Sequence, residues 1–95
     1  MPALWIAHVT VTDEEAYKKY AAGAGVAIAE HGGTFIARGG RYVQLEGKDR
    51  PRNVGAKCPA VETAEKCYPS EAYQAALAYA RGASERELLI VETSE

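Results

Sequence analysis

The sequence predicts an α+β fold of order β-α-β-β-α-β: a four-stranded antiparallel sheet with two helices on one face. Three observations lead there. Short β-rich runs lie near both ends of the chain, at residues 4–11 and 87–92. Two alanine-rich stretches place apolar residues three and four positions apart, the spacing of a helix face. Between those stretches, two strand-like runs flank the turn signal "KDRPR".

The elements follow in order. In "LWIAHVTV", Leu4, Ile6, His8 and Thr10 point one way, and Trp5, Ala7, Val9 and Val11 the other. Thr12 followed by Glu15 has the spacing of a capping box, with acids in the first helical turn. Tyr17, Tyr20, Ala21, Ala24, Ala27 and Ile28 then recur on one face, and Gly32 supplies a stop. Gly23 and Gly25 each weaken that helix by about 1 kcal/mol relative to alanine, which predicts either close packing or fraying. The run "TFIARGGRYVQLEG" reads as one long strand broken at Gly39-Gly40, and "NVGAKC" as its partner, closed by Pro59. A short and a longer helical segment follow, separated by Pro69. Ser70 caps the second, Tyr73, Ala76, Leu77 and Ala80 form its apolar stripe, and Gly82 ends it.

This order is the split arrangement of ferredoxin-like folds. Helices cover one sheet face, and the other is expected to expose Leu4, Ile6, Leu88 and Ile90. An apolar patch of that extent calls for a partner, and a symmetric dimer is the simplest solution.

The bulk numbers fit one domain spanning residues 1–95. The chain is 47% hydrophobic and 25% charged, as in ordinary globular proteins. A net charge of −2 argues against a nucleic-acid partner. No run approaches the roughly 18 apolar residues of a spanning helix, so no membrane partner is expected. "MPALWIAHV" lacks the basic start of a secretory signal, which sets the expectation of a cytoplasmic protein. Cys58 and Cys67 are too far apart for a redox or zinc motif and read as buried hydrophobes.

Two readings compete for the double glycine. A phosphate-cradling loop should follow a strand and open a helix. Here more strand-like sequence follows Gly40. The expectation is a glycine β-bulge that bends one long strand.

Four segments together resemble the domain of unknown function 1330 family, of the dimeric α/β-barrel superfamily. They are "LWIAHVTVTDEEAYKKYA" (4–21), "GGTFIARGG" (32–40), "RPRNV" (50–54) and "YPSEAYQAAL" (68–77). The resemblance runs in order along nearly the whole chain. It implies a ferredoxin-like protomer that pairs through its open sheet face into a dimeric barrel, and it implies little about activity. The third strand departs from the family pattern. Lys57 replaces an acid, Cys58 a large aromatic and Ala60 a capping serine, while Gly55 and Ala56 are small.

Candidate chemistry is sparse. His8 sits mid-strand and carries an imidazole, the side chain most used as a general base, which makes it the one candidate for a catalytic base, though a structural histidine at the interface explains it as well. His31 lies where a helix dipole favours a cation. No metal-ligand spacing, cofactor motif or nucleophile triad is present, so no cofactor and no metal are expected. Four of the six arginines (Arg38, Arg41, Arg50, Arg52) fall within fifteen residues. Arginine forks bind carboxylates and phosphates, which makes Arg38, Arg52, Tyr42 and His8 the candidate ligand-binding residues. The competing reading leaves these arginines solvated or paired with Glu46, Asp49 and Glu92. Three functions therefore stand: a homodimer that binds or transforms a small anionic or aromatic molecule, a non-catalytic structural or stress-related accessory module, and a cofactor-free monooxygenase-like enzyme.

Overall fold

The computed structural model describes residues 1–95. Its elements are β1 (Ala3–Val11), α1 (Glu14–Glu30), β2 (Thr34–Arg38), β3 (Arg52–Cys58), α2 (Val61–Cys67), α3 (Glu71–Ala80) and β4 (Ser84–Glu92). The sheet order is β2-β3-β1-β4 and every pairing is antiparallel. This is the ferredoxin-like fold, with all three helices on one face.

The alternation of β1 is realised as read. Trp5, Ala7 and Val9 are buried beneath the helices, and His8 is exposed on the other face. The helices meet them with Tyr17, Tyr20, Ala24 and Ile28 from α1 and Tyr73 and Leu77 from α3. Trp5 and Tyr73 are almost fully buried and pack edge to face, ring centres 5.2 Å apart. Both present large apolar area and dominate this core. Gly23 marks close packing: a Cβ there would lie 2.8 Å from Ala76 Cβ, so α1 and α3 approach as only a glycine permits.

Local signals account for most element ends. Ser70 Oγ accepts from Tyr73 N at 3.2 Å and caps α3. Gly32 and Gly82 end helices at φ +80 and +77, conformations that favour glycine. Ala60 stands at the α2 N-cap with no side-chain hydrogen bond, as a lost capping serine implies. The α1 cap is shifted by one residue from the expected box, because Asp13 Oδ1 accepts from Ala16 N at 3.2 Å. Aspartate caps as well as threonine does, and the chain takes the nearer one.

Two expectations fail. The long second strand does not form, since β2 stops at Arg38. Gly39, at φ +74, keeps one hydrogen bond to Asn53 O and turns the chain away, and residues 41–51 form no strand. The register shift lies earlier, between Phe35 and Ala37. The reason is the partner: β3 begins at Arg52, after Pro51, which has no N–H to donate, so nothing remains for residues 41–46 to pair with.

The second failure is the phase of β4. Leu4 pairs with Val91 and Ile6 with Leu89, so Leu89 and Val91 line the open face. Leu88 and Ile90 instead pack against the core beneath the helices. A one-residue slip exchanges the faces of a whole strand. Arg86 is in phase with Leu88 and Ile90, and is thereby turned inward.

Candidate anion-binding site

Three arginines converge between the sheet and α1. Arg38 ends β2, Arg52 begins β3 and Arg86 lies near the start of β4, all on the helix-covered face. Each guanidinium lies over an aromatic ring. The distances to ring centres are 4.1 Å for Arg38 on Phe35, 5.6 Å for Arg52 on Tyr17 and 4.4 Å for Arg86 on Tyr20. Such cation–π contacts gain strength where water is excluded, and they hold the planar forks in place.

Glycines make the room. A Cβ at Gly25 would stand 3.0 Å from Arg38 Nη2, which donates to Ala21 O at 3.2 Å. A Cβ at Gly39 would stand 2.6 Å from Arg52 Nη1. Gly25 within α1 and Gly39 at the end of β2 therefore each border a guanidinium.

Arg86 Nη2 donates to Tyr20 Oη at 2.6 Å, and the Tyr20 and Tyr73 hydroxyls lie 2.8 Å apart. Burial, reinforced by Tyr73, pushes the Tyr20 phenol well above its ordinary range despite Arg86 nearby, so it stays protonated. Burial alone would lower Arg86. The Tyr20 and Tyr73 oxygens outweigh it, and the guanidinium stays charged.

None of the three arginines forms a salt bridge. The Nε atoms of Arg52 and Arg86 are buried with no hydrogen-bond partner. An unmet buried donor costs about 1–3 kcal/mol, and more when charged. Between these groups lies a void with about 20 Å³ for the centre of a water-sized molecule. One such centre needs roughly 10–15 Å³. The arrangement offers positive charge, two unpaired buried donors and room for about one water-sized group, with no carboxylate among its lining residues.

The candidates read from the sequence thus separate. Arg38 and Arg52 come together at the cavity. Tyr42 does not join them: it lies in the exposed 41–51 segment, where its hydroxyl donates to Asp49 at 2.8 Å. His8 lies on the opposite sheet face, with Nδ1 2.7 Å from Asn53 Oδ1. Asn53 Nδ2 donates to Arg50 O, which orients the amide so that His8 Nδ1 donates to Oδ1. Of the competing reading, Arg38 and Arg41 are exposed as solvated residues, while the pairing with Glu46, Asp49 and Glu92 is absent. Arg50 alone pairs, with Glu87 at 2.9 Å and Glu85 at 3.4 Å, because those side chains flank it across the open face. His31 Nδ1 donates to Ala27 O at 2.8 Å and closes the end of α1. Cys58 and Cys67 are buried, and burial lifts the Cys67 thiol to about 11.

Arg86 was missed by the sequence reading. The available signal was a charged residue in phase with Leu88 and Ile90, hidden by the wrong phase for β4.

The model of the domain of unknown function DUF1330 matches residues 2–94. The chain belongs to the DUF1330 family. No functionally curated protein matches it. Among solved structures, it is similar to a protein of unknown function from Rhodopseudomonas palustris, at 18% identity and TM-score 0.79, covering 99% of this chain and 83% of that one. It is also similar to SnoaB, a cofactor-independent oxygenase from Streptomyces nogalater, at 13% identity and TM-score 0.66, covering 99% and 94%. A third is a dimeric ferredoxin-like protein of unknown function from Bacteroides fragilis, at 9% identity and TM-score 0.66, covering 97% and 96%. At these identities the likeness is one of fold.

Proposed function

We propose that this DUF1330 protein is a homodimer whose protomers each bind a small oxyanion between α1 and the sheet. Arg52 and Arg86 are the principal ligands, with Arg38 at the β2 side. The observation that carries the reading is the pair of buried Nε donors without partners, in a cavity that holds three guanidiniums and no carboxylate. Folding turns Arg52 and Arg86 inward and leaves them unneutralised, while Arg38 stays exposed at the edge, an arrangement that a bound anion stabilises. Tyr20, kept neutral, supports Arg86 and is not a base.

Dimerisation rests on the other face. Ile36, Leu89 and Val91 are exposed there beside Leu4 and Ile6, an apolar surface that a second copy covers. His8, oriented by Asn53, then lies within that interface. The B. fragilis protein, which is dimeric and shares the fold, supports a homodimer.

Calorimetric titration with small carboxylates and with phosphate tests the anion site. The expected result is saturable binding that Arg52→Met and Arg86→Met abolish. No binding by the wild type, or equal binding by the variants, overturns it. Sedimentation equilibrium tests the dimer, and a monomer at micromolar concentration contradicts it.

A further inference from the structure

The void among the arginines admits the head of a ligand and not its body. A larger cleft adjoins it and shares Tyr17, Ala21 and Arg52 with it. This cleft, of about 420 Å³, lies between the first turns of α1 and the ends of β1 and β3. Ligand sites commonly span about 300–1,000 Å³, so the cleft has the size for a small organic body. Val11, Tyr17, Ala21 and Pro51 make its apolar side, and the buried Val9 lies behind them. The only full charges on it besides Arg52 are Glu14 and Lys18, of opposite sign and on the exposed side of α1. Thr10, its remaining polar side chain, has its hydroxyl occupied by Arg50 at 3.1 Å.

Shape selects the head. The Arg52 and Arg86 guanidiniums stand over aromatic rings and line a narrow void, and each keeps a buried Nε donor unpaired. A guanidinium edge matches two coplanar oxygens, the geometry of a carboxylate. A phosphate brings two further oxygens out of that plane and needs more room, which a void of about 20 Å³ disfavours.

We infer that the ligand is a compact monocarboxylate with an apolar body, such as an arylacetate or a short branched-chain acid. Its carboxylate lies at Arg52 and Arg86, and its body lies in the cleft beneath α1. This inference rests on the oxyanion reading above and narrows it to one ligand class.

The probes are phenylacetate and isovalerate for head with body, acetate for the head, inorganic phosphate for tetrahedral shape, and benzyl alcohol for the body. Each is titrated calorimetrically into the full-length protein. Phenylacetate is expected to bind at least about tenfold more tightly than acetate, since burying several apolar carbons is worth more than one decade of affinity. Phosphate is expected to bind more weakly than acetate, and benzyl alcohol not to bind. Lys18→Trp, which places an indole over the cleft from an exposed position, should bring phenylacetate down to the level that acetate shows with the same variant. Phosphate binding as well as phenylacetate, or phenylacetate no better than acetate, overturns this inference and leaves the oxyanion site standing. Absence of binding by every anion overturns the site itself.

Discussion

Arg50 and Arg52 are two residues apart and meet opposite environments. Arg50 turns to the open face, where its side chain is 12% exposed and bonded to Glu85, Glu87 and Thr10. Arg52 turns beneath the helices, where it lies on Tyr17 and its Nε meets nothing. Both arginines are half-buried, yet the open face supplies Arg50 with two carboxylates and the helix-covered face supplies Arg52 with none. A charge removed from water needs a partner, and only Arg50 has one. Arg50 is therefore part of the scaffold. Arg52, with Arg86, is held ready for a charge from outside.

The difference can be broken from either side. The double substitution Arg52→Met with Arg86→Met should have the largest effect, a loss of carboxylate affinity of roughly 100-fold or more, given about 1.5–3 kcal/mol per charged hydrogen bond. The melting temperature should hold or rise, because the variant removes two buried unmet donors. A large fall in melting temperature with binding retained would reverse the assignment.

The glycines separate packing from function at the next scale. Gly39→Ala forces an alanine to φ +74 and drives a methyl into Arg52, so stability and affinity should fall together, stability by about 1–3 kcal/mol. Gly23→Ala overpacks α1 on Ala76 and should cost about 1–3 kcal/mol. Gly25→Ala meets only the mobile end of Arg38. There, helix propensity should raise stability by up to about 1 kcal/mol, while affinity drops a few-fold. Chemical denaturation paired with calorimetry on the three variants checks all of these.

The smallest effects belong to Arg50. Arg50→Met should leave carboxylate affinity unchanged and lower the melting temperature slightly. The Arg50 hydrogen bond, with Lys48 nearby, holds the Glu85 carboxyl below its ordinary 4.5. Its folded value is depressed, so the pair stabilises above the ordinary glutamate range. That contribution disappears as pH falls through the depressed value. The melting-temperature gap between wild type and Arg50→Met should thus be constant near neutrality and close on acidification. Affinity at the arginine cavity should instead be flat from neutral to mildly alkaline pH, because the guanidiniums stay charged and Tyr20 stays protonated.

Much of this was legible in the residues. The phase of β1, the Ser70 cap, the glycine stops and the element order all follow from local chemistry, and Arg38 and Arg52 were recognisable as candidates. What was not legible depended on pairing. "RYVQL" has the alternation of a strand, yet a strand exists only where a partner backbone is available, and β3 starts too late to provide one. The near-continuous apolar run of β4 carries no alternation to set its phase, so only the register against β1 reveals that Arg86 points inward. The double glycine had a use beyond shape: Gly39 ends β2 and clears the space that Arg52 occupies.

The central claim is that the void between Arg52 and Arg86 attracts an anion. A crystal soaked in bromide tests it directly, because the anomalous signal locates the ion without reference to any chosen ligand. The account predicts a bromide peak within hydrogen-bonding distance of both Nε atoms, absent in the Arg52→Met, Arg86→Met variant. A void holding only water, with bromide confined to Lys and Arg side chains on the surface, would contradict it.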